Sequence, residues 1–202
     1  GIPSDYLQPL GTAIDHRAAV FYDQLGCGRS DSPEDASMYG VDQSISNLRF
    51  FLQKLGIHRY HLLGQSWGGM LAFEHTITSG DEILSLTLAN SPACVATVEK
   101  EASRLIEECT AERGGDANAG YELFEERHNS GAPPRHWALE EAYKRVGTLF
   151  RGTDAIQGWE AGADCIASFP KNVPVLCIRG ERDFVTEACV APWASLPRVQ
   201  TR

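Results

Sequence analysis

The chain has 202 residues, 43% of them apolar and 22% charged, with a net charge of −9 at pH 7. That length predicts one domain with room for an insert, and the composition is that of an ordinary globular chain. The acidic balance disfavours nucleic acid and anionic membranes as partners and suits a cationic substrate, or simply solubility; no run is long enough to cross a bilayer as a helix.

The chain opens on Gly1 rather than methionine, with no signal peptide in view, which predicts residues ahead of it. Ala18-Ala19-Val20-Phe21-Tyr22 is a continuous apolar run and predicts a strand covered on both faces. A turn-rich loop, Asp23 to Ser30, follows; its Gly26 and Gly28 permit backbone conformations closed to other residues, and we read it as structural support. Val41, Ile45, Leu48, Phe51, Leu52 and Leu55 recur at helical spacing, with Gly56 as a stop. Tyr60-His61-Leu62-Leu63 predicts a short strand, Gly69 to about Ser79 a helix, and Ile83 to Leu88 another strand.

Between the first of those strands and its helix stands Gly64-Gln65-Ser66-Trp67-Gly68. A strand, G-x-S-x-G and a helix make a nucleophile elbow, a turn tight enough to demand small neighbours. It lifts a serine hydroxyl clear of the sheet at a helix N-terminus, where the Trp67 N–H is placed to hold an oxyanion. A serine hydroxyl needs a base within hydrogen-bond reach and an acid to orient that base.

From about Cys94 to Cys165 the text turns helical and acidic, about 14 acidic side chains against about 8 basic. Glu101 to Arg113 and Trp137 to Phe150 have amphipathic spacing. Pro174 to Gly180 then restores a buried strand. Strands alternating with helices predict an α/β fold, a mostly parallel sheet with helices on both faces. The expected division is a core over 1–93, a helical cap over 94–168 and the rest of the core over 169–202. The six cysteines are widely spaced without a C-x-x-C pair, which reads as buried thiols of a cytoplasmic protein and gives no zinc site.

Asp183, three residues after Gly180, is the acid candidate, with Glu181 as the alternative. The base is harder to place. His61 lies about 16 Å back along its strand at ~3.3 Å per residue. His75 lies about 13 Å along the helix at ~1.5 Å per residue. His16 and His58 fall at the wrong sheet edge, and His128 and His136 belong to the helical segment.

Three stretches, Phe21 to Ser30, Gly64 to Gly69 and Gly180 to Asp183, resemble the proline iminopeptidase branch of the α/β-hydrolase superfamily. The resemblance implies an α/β-hydrolase fold and a serine peptidase that releases an N-terminal residue, often proline, without metal or organic cofactor. It implies Ser66 as nucleophile, Asp183 as the orienting acid, and Trp67 with a loop ending near Gly1 as oxyanion donors. The family's histidine follows one further strand beyond the aspartate, so it is expected beyond Arg202, the chain being cut at both ends. Such a cut would leave sheet edges unpaired, and residues 1–202 alone are expected to fold poorly. Small peptides, amides or esters are the implied substrates. Gln65, Glu125, Glu126, Trp159 and Glu160 are candidates to touch them, together with Glu122 and Phe124; each of the glutamates reads more readily as a solvated helix face, and Trp159 and Phe124 equally as packing. An esterase, lactonase or amidase on the same scaffold, and a non-catalytic relative lacking the histidine, remain open.

Overall fold

A computed structural model describes residues 2–14, 16–148 and 156–202. In chain order the regular elements are α1 (Gln8–Ala13), α2 (Val41–Lys54), β1 (Tyr60–Gln65), α3 (Trp67–Ser79), β2 (Ile83–Ala89), α4 (Val95–Glu112), α5 (Ala117–Phe124), α6 (Trp137–Tyr143), α7 (Ala163–Ser168), β3 (Val175–Ile178), α8 (Glu187–Val190) and β4 (Val199–Thr201). A π-helical turn, Glu125–Asn129, continues α5. By contacts the chain forms two compact units, one of residues 1–44 with 132–156 and one of 45–131 with 157–202. The first is built from loops and short helices; the second holds the sheet.

In the second unit the four strands lie in the order β1-β2-β3-β4, every neighbouring pair parallel. The register pairs Gln65 with Ala89 and Ala89 with Ile178, so β1, β2 and β3 end level with one another. All three carboxyl ends therefore open on one edge, where α/β sheets bind ligands. Leu86 and Leu88 of β2 and Val175 and Cys177 of β3 are buried. Phe73 of α3 stacks on Phe169 at 5.7 Å between ring centroids and tilts against Trp193 at 4.9 Å. The Trp193 indole also donates to the Ser91 carbonyl at 2.7 Å, so the largest buried side chain has its polar atom satisfied. α3 carries buried residues on most of its faces (Met70, Leu71, Ala72, Phe73, His75 and Thr76), which fixes it rigidly beneath the strand it follows.

α4 and α5 pack on each other through Leu105, Cys109, Leu123 and Phe124, with Phe184 against that cluster. Phe124 and Phe184 lie 6.0 Å apart. The helical segment is thus anchored to the loop that follows β3.

In the first unit the apolar run at Ala18–Tyr22 is not a strand, which corrects the sequence expectation. Val20 is 51% exposed. A strand exists only through a neighbour that takes up its backbone groups, and apolar composition cannot supply one. The loop after the run has the glycine-dependent geometry expected of it, with Gly26 at φ +86 and Gly28 at φ +61. Its centre is Asp23, whose side chain is 3% exposed and accepts from the Ser4 N–H and hydroxyl, each at 2.8 Å, and from the Arg29 N–H at 3.0 Å. Burial pushes the Asp23 carboxyl up, but these hydrogen bonds outweigh it and hold the group below the usual carboxylate range.

The helix expected from Trp137 to Phe150 stops at Tyr143. The Arg145 carbonyl accepts from the Gly28 N–H at 3.1 Å, and a Cβ at Gly147 would meet the Gly26 carbonyl oxygen, so the chain leaves the helix to lie against the glycine loop. Leu149 and Phe150 lie outside the described residues. All six cysteines are free, with Cys27, Cys109, Cys177 and Cys189 buried. Among the described residues no helix is long and apolar enough to cross a membrane.

Candidate active site

The β1–α3 turn changes the chain from ladder to helix within one residue. The Ser66 N–H still bonds the Ala89 carbonyl at 3.0 Å, prolonging the β1–β2 ladder. The Ser66 carbonyl already accepts from the Gly69 N–H at 2.9 Å, closing the first turn of α3. Both demands meet at Ser66, which sits at φ 52, ψ −120, a region that L residues avoid. The side chain is half-buried and makes no capping bond to its helix. Trp67 is the first residue of α3, so its N–H points along the helix axis away from the helix body, beside the serine.

Two glycines make the turn possible, and only one is the glycine the motif leads one to expect. A Cβ at Gly64 would lie 2.4 Å from the Gly68 carbonyl carbon and 2.5 Å from the Gly69 nitrogen. A Cβ at Gly69 would meet the Cβ of Ser91 at 2.5 Å. At Gly68, the closing glycine of G-x-S-x-G, an added Cβ meets nothing within 4 Å.

Asp183 leaves the same sheet edge two strands away. With neighbouring strands about 4.8 Å apart, the ends of β1 and β3 are separated by roughly 10 Å. The Asp183 carboxylate is held at two points: Oδ1 accepts from the Val185 N–H at 2.7 Å, and Oδ2 from the Asn90 side-chain amide at 2.5 Å. Burial pushes its pKa up; the bonds from Val185 and Asn90 and the nearby charges of Arg179 and His128 oppose this without cancelling it. Asn90 itself has φ 47 and donates its N–H to the Ile178 carbonyl at 2.8 Å, continuing the β2–β3 ladder. Sequence reading passed over this residue. The signal was present: asparagine immediately after a strand tolerates the left-handed region, and this strand ends level with the elbow.

The histidines are spread through the chain. The His61 Nδ1 lies 2.7 Å from the Ser85 hydroxyl at the far end of β1 and β2. His75 is fully buried, its Nε2 2.6 Å from the Tyr60 hydroxyl. His136 caps α6, accepting from the Ala138 N–H at 3.3 Å. His128, on the π-helical turn, donates through Nδ1 to the Arg182 carbonyl at 2.7 Å, and the Phe184 N–H bonds back to the His128 carbonyl at 3.0 Å. His128 thus grips the backbone on either side of Asp183 and does not bond its carboxylate.

Of the residues expected to touch substrate, Gln65 ends β1 directly before Ser66. The Glu125 carboxylate accepts from Asn129 at 2.9 Å and Ser130 at 3.3 Å, closing its own turn, while Glu126 beside it is exposed. The Trp159 indole donates to Glu74 at 3.0 Å. Glu74 stands eight residues along α3 from Ser66, about 12 Å at 1.5 Å per residue, so this indole packs the domain. Glu160 is exposed and bridges Cys94 through the backbone. Gly1 lies outside the described residues.

Residues 5–113, more than half of the chain, match the family model described as alpha/beta hydrolase fold. The chain belongs to that family. Within it, the chain is 39% identical over 95 residues to a proline iminopeptidase of Lactobacillus acidophilus, covering 46% of this chain and 32% of the relative. A proline iminopeptidase of Saccharolobus solfataricus is 38% identical over 106 residues, covering 52% and 34%. The matched part spans about a third of the length of these curated relatives. Among solved structures, a proline iminopeptidase of Mycobacterium smegmatis superposes on all of this chain and 77% of its own, with TM-score 0.86 and 25% identity. The resemblance to the proline iminopeptidase branch and the α/β-hydrolase fold, both expected from the sequence, therefore hold.

Proposed function

We propose that this chain carries the nucleophile and acid of a serine hydrolase of proline iminopeptidase type, releasing an N-terminal residue from peptides through an acyl-enzyme on Ser66. The observation that carries the reading is that Ser66 sits on a positive-φ elbow at the sheet edge where the half-buried, hydrogen-bonded Asp183 carboxylate also emerges. The relatives named proline iminopeptidase support the substrate class.

In this mechanism the Ser66 hydroxyl adds to the scissile carbonyl carbon as its proton passes to an imidazole oriented by Asp183. Trp67 N–H stabilises the oxygen that gains negative charge, aided by the positive end of α3. The intermediate collapses, the C–N bond breaks, and the imidazolium returns its proton to the departing amine. Water then cleaves the ester on Ser66 by the same route in reverse. His61, His75 and His136 are engaged elsewhere, so the base is none of these. Glu126, exposed on the turn bonded to the acid loop, is the candidate to attract a substrate ammonium, and Gln65, directly before Ser66, the candidate to line the acyl side.

The test is active-site labelling of the full-length protein with a fluorophosphonate probe, beside the Ser66→Ala variant. Labelling that vanishes with the hydroxyl supports the reading; an alanine variant that still labels removes Ser66 as nucleophile. Turnover of prolyl-naphthylamide above short nitrophenyl esters supports the peptidase assignment, and the reverse order points to an esterase.

A further inference from the structure

Resting on that reading of Ser66 and Asp183, we infer that Asn90 is a positioning residue of the site, fixing the Asp183 carboxylate in the rotamer that faces the elbow. The two residues are 93 positions apart in sequence, yet the Asn90 amide lies 2.5 Å from Oδ2. Oδ1 is already taken by the Val185 N–H at 2.7 Å. The carboxylate is therefore clamped at both oxygens by donors from different loops, one after β2 and one after β3. Each oxygen keeps a lone pair for a further donor.

The asparagine is itself held in place. Its N–H is the last rung of the β2–β3 ladder, at 2.8 Å from the Ile178 carbonyl. Its φ of 47 turns the side chain away from the path an extended residue would give it, toward the β3 loop. Asparagine is one of the few residues with a side chain that enter this region readily. Strand pairing, a left-handed backbone and an amide of fixed reach thus converge on one carboxylate oxygen.

The clamp also favours the charged form of the carboxylate. Asp183 is half-buried, and the burial it has favours its neutral form, in which it would orient an imidazolium poorly. Arg179 and His128 are the cationic or titratable groups that oppose this, and the Cys189 thiol also faces the carboxylate. Asn90 supplies a neutral donor whose bond to Oδ2 does not depend on the charge of any neighbour.

Two substitutions in the full-length protein separate positioning from mere packing. Asn90→Gly keeps the left-handed backbone and deletes the amide. Asn90→Asp keeps shape but faces Oδ2 with a second carboxylate, so the pair must share a proton. On a naphthylamide substrate, kcat at neutral pH falls about tenfold in Asn90→Gly and about a hundredfold in Asn90→Asp, with KM within about twofold. The acid limb of the kcat profile moves to higher pH in both, and further in Asn90→Asp. The ¹³C titration of the Asp183 carboxyl carbon, assigned by its loss in Asp183→Asn, moves in the same direction. A purely structural asparagine would lower melting temperature in Asn90→Gly and leave limb and carboxyl titration where they are, which overturns the inference. If the wild-type protein fails to label with fluorophosphonate, the proposed reaction falls on its own. The carboxyl titration still reports whether Asn90 holds Asp183.

Discussion

The two outer glycines of the elbow motif should respond to alanine with opposite signs. At Gly64 the new Cβ arrives 2.4 Å from the Gly68 carbonyl carbon and 2.5 Å from the Gly69 nitrogen. Ordinary contact is 3.4 Å or more, so backbone must move by about 1 Å, and no flexible side chain can absorb it. Overpacking of this kind costs about 3 kcal/mol, at the upper end of its usual range because both sides are main chain. The restricted unfolded chain returns up to about 1 kcal/mol, leaving a loss of roughly 2 kcal/mol. At Gly68 the Cβ enters open space within the first turn of α3, and helix propensity alone stabilises by up to about 1 kcal/mol. Urea denaturation of the full-length protein measures both. With a slope of about 2 kcal/mol/M, the midpoint falls by about 1 M in Gly64→Ala and rises by a few tenths in Gly68→Ala. Equal destabilisation by the two, or a Gly64→Ala midpoint within about 0.2 M of wild type, would refute the assignment of the close approach to Gly64 rather than Gly68.

Ser66→Gly removes the positive-φ strain at the elbow and should raise stability by about 1 kcal/mol while abolishing fluorophosphonate labelling; a drop in stability would show that the serine geometry carries no strain. Asp183→Asn bears on the raised pKa. A carboxyl whose folded pKa lies above its unfolded value is penalised when ionised, so the substitution stabilises at neutral pH and the gain disappears as pH falls below the usual carboxylate range. Thermal melts across pH 3 to 8 would follow it, and a gain independent of pH would contradict the stated cause. His75 has the opposite sense. Burial, then the charge of Arg49, lowers it to about 4, and its Nδ1 has no hydrogen-bond partner. The native state holds it neutral, so stability is complete above pH 6.5 and declines by about 3 kcal/mol as pH falls toward 4. His75→Phe, with Tyr60 keeping its contact to Glu82, should flatten that decline in acid denaturation; an unchanged slope would assign the loss to other groups.

What could be read from the sequence was what local chemistry determines. The strand, elbow and helix around Ser66, the helix from Val41 and the strand from Ile83 each carry their periodicity and their stop signals within a dozen residues, and all stand as expected. Asp183 was legible because a glycine after an apolar strand marks the sheet edge. Asn90 was not, since its role depends on a partner 93 residues away and its immediate surroundings, Ala89 and Ser91, say nothing of a carboxylate. The run at Ala18–Tyr22 misled for a related reason: apolar composition states what a strand would bury, whereas the strand itself requires a neighbour's backbone. Gly68 was credited with a steric necessity that belongs to Gly64 and Gly69, because a motif records which residues recur and not which atoms collide.

The paired bonds between His128 and the chain flanking Asp183 have a mechanical consequence. The π-helical turn and the acid-bearing loop share a joint one residue wide on each side of the carboxylate. Displacing the π-helical turn against the β3 loop must break one of these bonds or carry Asp183 with it, so the direction of the carboxylate is tied to the position of α5.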